Sequence, residues 1–221
     1  KTYVDIISMV VTGYYNAGKF EIGPYFTLYS FNAIEGSRFK FGGRTTNSFN
    51  DRLRLEGYVA YGTKDETFKY MGGFRYYLKT KPREAIGARY KYDVAQLGQS
   101  ENAFQDDNIL ASLFRTNPVN KLTLLEGYRI YYEKEWLSGY SHKISLTHGI
   151  GKPLGVLDYS YYTDEEKTQI NNSIKTTEIT FQVRFAYREK FVEGETGRIS
   201  LGSEYPVTQF IYTAGLKDVL Q

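Results

Sequence analysis

Through residues 35–92, apolar and polar side chains alternate with a period of two in four consecutive runs, at about 35–46, 52–62, 67–79 and 84–93. The second run sets Leu53, Leu55, Gly57, Val59 and Tyr61 against Arg52, Arg54, Glu56 and Tyr58. The third sets Phe68, Tyr70, Gly72, Phe74 and Tyr76 against Thr67, Lys69, Met71, Gly73 and Arg75. A strand projects successive side chains to opposite sides, so this period predicts strands with two unlike faces. The connections at 45–51, 63–66 and 80–83 are short and polar, rich in Asn, Asp and Lys and including Pro82. Connections of this length join only antiparallel neighbours, which predicts an up-and-down meander.

The same rhythm extends in both directions. A strand is expected at about 20–31, with Gly23-Pro24 near its start. Others are expected at about 121–133, 140–149, 155–163, 174–188, 197–204 and 208–216, which makes about eleven in all. Most approach the ~9–11 residues that cross a tilted outer-membrane span. Residues 1–19 read as a short helix or a lead-in, because Val4, Ile6, Ile7, Val10 and Val11 fit helical spacing as well as a strand. Residues 94–120 read as a long loop, polar at first, with a short helix around Ile109, Leu110, Leu113 and Phe114.

Composition sharpens the fold class. Tyr supplies 22 of the 221 residues, and aromatic residues make up 17%. No run reaches the ~18 apolar residues of a spanning helix. An even spread of apolar residues through alternating strands suits a wall with lipid on one side and a polar interior on the other. The expected fold is therefore all-β, an antiparallel up-and-down transmembrane β-barrel formed by one domain over residues 1–221. A complete barrel of this class has an even strand number and usually closes on an aromatic residue, whereas this chain finishes Asp218-Val219-Leu220-Gln221. The expectation is an incomplete barrel segment. Tyr61, Tyr76, Tyr92, Tyr132, Tyr161 and Tyr187 fall at strand ends, as interfacial aromatic girdles would.

The candidate functional feature is a basic ladder on the polar face. It comprises Arg38, Lys40, Arg44, Arg52, Arg54, Lys69, Arg75, Arg89 and Lys91, and continues as Arg184 and Arg188 in the 174–188 run. Facing a lumen it would attract anions. The plainer expectation is a barrel wall whose arginines pair with Glu56, Asp158, Glu178 and carboxylates on missing strands, because unpaired buried charge is costly. A net charge of +3 is too small to indicate nucleic acid.

Catalytic chemistry finds little support. Cysteine is absent, which removes disulfides, thiolate metal sites and a cysteine nucleophile. His142 and His148, the two histidines, would lie ~20 Å apart along one strand, too far to share a metal. Ser141 adjoins His142, but strand neighbours point to opposite faces, so no nucleophile–base pair forms there. Residues 149–155 lack phosphate-loop spacing and read as a turn. Asp106-Asp107 and Asp164-Glu165-Glu166 read as solvated loop charges, and Asn171-Asn172-Ser173 as a glycosylation triplet without force in a bacterial envelope. No catalytic residue, metal or cofactor is expected.

The segment Glu35-Gly36-Ser37-Arg38-Phe39-Lys40-Phe41-Gly42-Gly43-Arg44-Thr45 resembles a pattern in one group of Gram-negative envelope proteins. So does Tyr61-Gly62-Thr63-Lys64-Asp65, followed by Lys69-Tyr70, and the likeness continues to Gly202-Ser203 and Tyr212-Thr213-Ala214-Gly215. That group carries an N-terminal carboxypeptidase-regulatory-like domain. Its C-terminal barrel is similar to the outer-membrane assembly-factor and surface-antigen superfamily. The resemblance implies the first part of such a barrel, an outer-membrane location, and a role in protein assembly or translocation, with lipid and other envelope proteins as partners. The superfamily's Arg-Gly loop motif has no counterpart here. A passive channel with an anion-favouring lumen is the alternative function, and a soluble β-barrel or sandwich that binds lipid is the third.

Overall fold

The computed structural model describes residues 9, 12–96, 121–136, 139–155, 159–162, 168–193 and 198–217. The strands are β1 (Tyr15–Asn16), β2 (Phe20–Ile22), β3 (Tyr29–Asn32), β4 (Gly36–Thr45), β5 (Leu53–Gly62), β6 (Phe68–Thr80), β7 (Arg83–Gln96) and β8 (Lys121–Glu135). They continue as β9 (Tyr140–Gly155), β10 (Tyr159–Tyr162), β11 (Thr168–Asn171), β12 (Ile174–Ala186), β13 (Lys190–Glu193), β14 (Arg198–Gly202) and β15 (Val207–Gly215). One antiparallel sheet of 11 strands dominates, in the order β1-β2-β4-β5-β6-β7-β8-β9-β12-β15, with β3 also paired to β4. The hairpins β10–β11 and β13–β14 stand apart from it as separate two-stranded sheets. β1 and β15 are at opposite edges, so the sheet is open and does not close into a ring.

The main sheet holds eleven strands, the number expected for the chain, but the described residues form fifteen in all and the membership differs. The expected strand at 20–31 is broken into β2, a 3-10 turn at Tyr25–Thr27, and β3. Pro24 is responsible, because it has no N–H to give a ladder. Within the runs expected at 155–163 and 197–204, Tyr159–Tyr162 and Arg198–Gly202 form β10 and β14 in the side hairpins instead of joining the main sheet, and Gly155 ends β9. Residues 149–155, expected as a turn, extend β9 and pair with Lys121–Gly127 of β8. Gly127 and Gly149 face each other there, and an added Cβ on Gly127 would come within 2.4 Å of the His148 carbonyl oxygen. Small residues thus let this stretch run straight on as strand. Pro153 lies past the end of the β12 pairing, where β9 has a partner on one side only, a position that tolerates a missing donor.

Strands β6 to β9 and β12 hold 13 to 16 residues; β7, β8 and β9 are longer than anticipated, β6 has the anticipated length, and β12 stops two residues short of it. At about 3.3 Å per residue they extend ~40 Å or more. Near the N-terminus, Met9 and Thr12 are helical, and the Gly13 N–H donates to the Met9 carbonyl at 2.8 Å. The long loop expected from 94 begins later, because β7 runs to Gln96, and its remainder at 97–120 lies outside the described residues.

Burial is inverted relative to a water-soluble sheet. Among the described residues, twelve buried side chains are polar or charged and five are apolar, three of these alanines. Outward-facing Phe39, Phe41, Val59 and Phe68 are all more than half exposed, at 54%, 66%, 51% and 61%. Lys69 on the opposite face is wholly buried. The polar side is therefore the packed one, and the apolar side is open.

Candidate functional site

The packed polar face is organised by cross-strand register. Partners in a ladder point to the same side, so Arg44 of β4 meets Glu56 of β5, Arg54 meets Arg75 of β6, and Arg89 of β7 meets Arg129 of β8. Like charges set directly opposite one another are unfavourable unless carboxylates lie close by. The side chains gather into three groups along the face.

The first is a buried ion-pair network where β4, β5, β6 and β7 meet. Arg38 grips Asp93 through two hydrogen bonds, Nη1 to Oδ1 at 2.7 Å and Nη2 to Oδ2 at 2.9 Å. It also donates to Glu35 Oε1 at 2.8 Å. The Tyr58 hydroxyl donates to Asp93 Oδ2 at 2.5 Å, and Lys91 adds its charge nearby. Lys69 lies between Glu35, at 2.9 Å, and Asp65. Asn32 completes the group: its side-chain N–H donates to Glu35 at 2.7 Å and its carbonyl caps the Glu35 N–H at 2.8 Å. A hydrogen-bonded set of this kind holds buried charge and fixes strand register.

The second group flanks it. Arg44 pairs with Glu21 at 2.8 Å and stacks on Tyr14, Arg89 pairs with Glu56, and Lys40 sits 3.9 Å from the centre of the Tyr58 ring. The third group lies toward the β6–β7 and β8–β9 turns. There Arg75 Nε donates to the Tyr131 hydroxyl at 2.9 Å, and Arg75 and Lys143 share Glu133 at 3.5 and 4.0 Å. Tyr131 reaches Arg75 because residue 87 is glycine: a Cβ there would fall 2.4 Å from the Tyr131 ring. Arg184 forms a bidentate pair with Glu189 at 2.6 and 2.7 Å.

Two ladder members are placed differently from the sequence reading. Arg52 precedes β5, is exposed, and engages the sheet through its carbonyl, which accepts the Tyr77 N–H at 2.8 Å. Arg188 lies in the turn after β12 at φ 51, exposed over the Tyr187 ring. The alternation breaks at Ala186, where β12 ends, so parity no longer assigns Arg188 a face. Of the anticipated carboxylate partners, Glu56 pairs as expected, and Asp158 lies outside the described residues. The partners that sequence reasoning missed are Glu21, Glu35, Asp65, Asp93, Glu133 and Glu189. Arg129, Tyr131 and Lys143 were also missed, although their parity with Glu133 along β8 and β9 carried the signal.

His142 and His148 face the apolar side among Tyr128, Tyr132, Trp136 and Tyr140, at ring distances of 5.4 to 6.1 Å. The Trp136 indole N–H donates to His142 Nδ1 at 3.2 Å, and His148 shares a 2.9 Å hydrogen bond with Thr177. Among the described residues, no three His, Asp or Glu side chains gather as a metal site would require. Asp106, Asp107, Asp164, Glu165 and Glu166 lie outside the described residues.

No curated protein and no solved structure matches the chain. One family model does, that of the C-terminal domain of a family of unknown function (DUF5686), over residues 7–221. With nearly its whole length matched, the chain belongs to that family, as its C-terminal domain.

Proposed function

We propose that this sheet is part of the wall of a non-enzymatic β-barrel in the outer membrane of a Gram-negative bacterium. The observation that carries the reading is the inverted burial: charged and hydroxyl side chains are packed, while Phe, Tyr, Ile and Val stand open on the other face. Water-soluble proteins rarely leave so extended an apolar surface uncovered. Lipid covers it without cost, and long antiparallel strands satisfy their backbone groups inside a bilayer.

Within that reading, a role in outer-membrane protein assembly or translocation is favoured over passive conduction. Its support is the resemblance of residues 35–45, and of 61–65 followed by Lys69-Tyr70, to a group of envelope proteins whose barrel is similar to the assembly-factor superfamily. A channel is the second reading, favoured by the basic inner face. Planar-bilayer recording of the purified protein separates them. The assembly reading expects no steady conductance, and sustained anion-selective current would contradict it. Monodisperse behaviour without detergent would contradict both.

A further inference from the structure

The third group on the polar face surrounds a cleft of about 270 Å³ between the ends of β6, β7, β8, β9 and β12. Arg75, Arg83, Lys143 and Arg184 line it, against Glu133 and Glu135. Arg184 is already held by Glu189; Arg75 donates to the Tyr131 hydroxyl, and the carboxylate that Arg75 and Lys143 share is Glu133, at 3.5 and 4.0 Å. Both separations exceed a charge-assisted hydrogen bond, which closes to ~2.8 Å when it is made well. Beside the cleft, Arg54 stands directly across from Arg75 in the ladder. Its Nε is buried without a hydrogen-bond partner, and its guanidinium shares the Tyr77 ring with Arg83, at 5.8 and 5.6 Å. Four guanidiniums, of Arg54, Arg75, Arg83 and Arg184, and the ammonium groups of Lys134 and Lys143 are thus gathered at one end of the face, Arg54 and Arg75 in direct like-charge register. That arrangement is unfavourable when empty and relieved by an anion.

We propose that this cleft is a binding site for a phosphate group, taken by Arg75 and Lys143 with Arg83 and Arg184 at its rim. Guanidinium forks match phosphate oxygens in pairs, which Lys alone does not do. The volume lies near the ~300 Å³ lower end of small-molecule sites, so it admits a phosphorylated group larger than the bare ion. The donor set serves equally a phosphorylated solute and the head group of an anionic lipid. The proposal rests on the polar face and is independent of whether lipid covers the other one.

The test is calorimetric titration of the purified protein, held in zwitterionic detergent, with inorganic pyrophosphate and separately with short-chain phosphatidic acid below its micelle concentration. The expected result is saturable one-to-one binding that the double substitution Arg75→Gln, Lys143→Gln weakens by about tenfold or more, ~1.4 kcal/mol. The charge-conserving pair Arg75→Lys, Lys143→Arg keeps binding, which separates lost recognition from misfolding. Arg188→Gln removes a positive charge from the β12 turn, off the face, and leaves affinity unchanged. Tighter binding of the lipid points to a head group, and tighter binding of pyrophosphate to a solute. Absence of saturation, or equal weakening by Arg188→Gln, would overturn the site in favour of diffuse charge attraction.

Discussion

Arg38 and Asp93 show what the polar face asks of single residues. With side chains 11% and 6% exposed, they hold each other through two hydrogen bonds. Removing one partner leaves a buried charge with less than its full complement, a loss of roughly 3–5 kcal/mol. Asp93→Ala is therefore expected to lower unfolding stability by about that range, measured by denaturant titration in detergent. Arg188→Gln, out in the turn, should change it by no more than about 0.5 kcal/mol. Similar small effects for both would show that the network contributes little. The basic members of the face could be read from the period of two, because parity alone places Arg38, Lys40, Lys69 and Arg75 on one side. Their partners could not: Asp93 is 55 positions from Arg38, and only the stacking of β4 to β7 brings the two together. Parity also failed at Arg188, where a turn resets the direction of side chains.

Elements of the sheet differ in how they are held. β8 has β7 on one side and β9 on the other, whereas β15 has β12 alone. Because the Leu216 N–H donates to the Thr177 carbonyl at 2.7 Å, every second residue back from it bonds to β12. Thr208, Phe210, Tyr212 and Ala214 then have protected amides, while those of Val207, Gln209, Ile211, Thr213 and Gly215 face the free edge. Hydrogen exchange read residue by residue should show this alternation along β15 and continuous protection along β8. Uniform protection of β15 would mean that the edge is occupied. At β7, Gly87→Val is expected to displace the Tyr131 ring and break its 2.9 Å bond to Arg75. The readout is weaker pyrophosphate binding with the sheet's circular dichroism unchanged, and undiminished binding would separate Tyr131 from the cleft. Strand type was legible wherever alternation ran unbroken, from β4 to β9 and in β12. It was misleading at 20–31, where Pro24 stops the ladder, and at 149–155, where glycines and a proline that usually mark turns lie inside β9. Membership of a sheet depends on which strands pair, and the short runs at 155–163 and 197–204 carry no local mark that sends them into side hairpins.

For the whole molecule, the proposed arrangement sets the open apolar face against lipid and keeps the packed polar face away from it. The two readings of the basic ladder meet here. Ion pairs with Glu21, Glu35, Glu56, Asp93 and Glu189 show that much of its charge serves the wall, and the phosphate cleft is where cations outnumber close carboxylates. The most direct measurement uses the absence of cysteine and the single tryptophan. With Trp136 replaced by Phe, one new Trp is introduced at a time at 39, 40, 41, 59, 60, 129 and 130, and the protein is reconstituted into vesicles containing bromine-labelled lipid. Lipid on the apolar face gives strong quenching at 39, 41, 59 and 130 and weak quenching at 40, 60 and 129, in step with the strand period. Quenching that is uniformly weak, or that shows no alternation between the two sets, would contradict it.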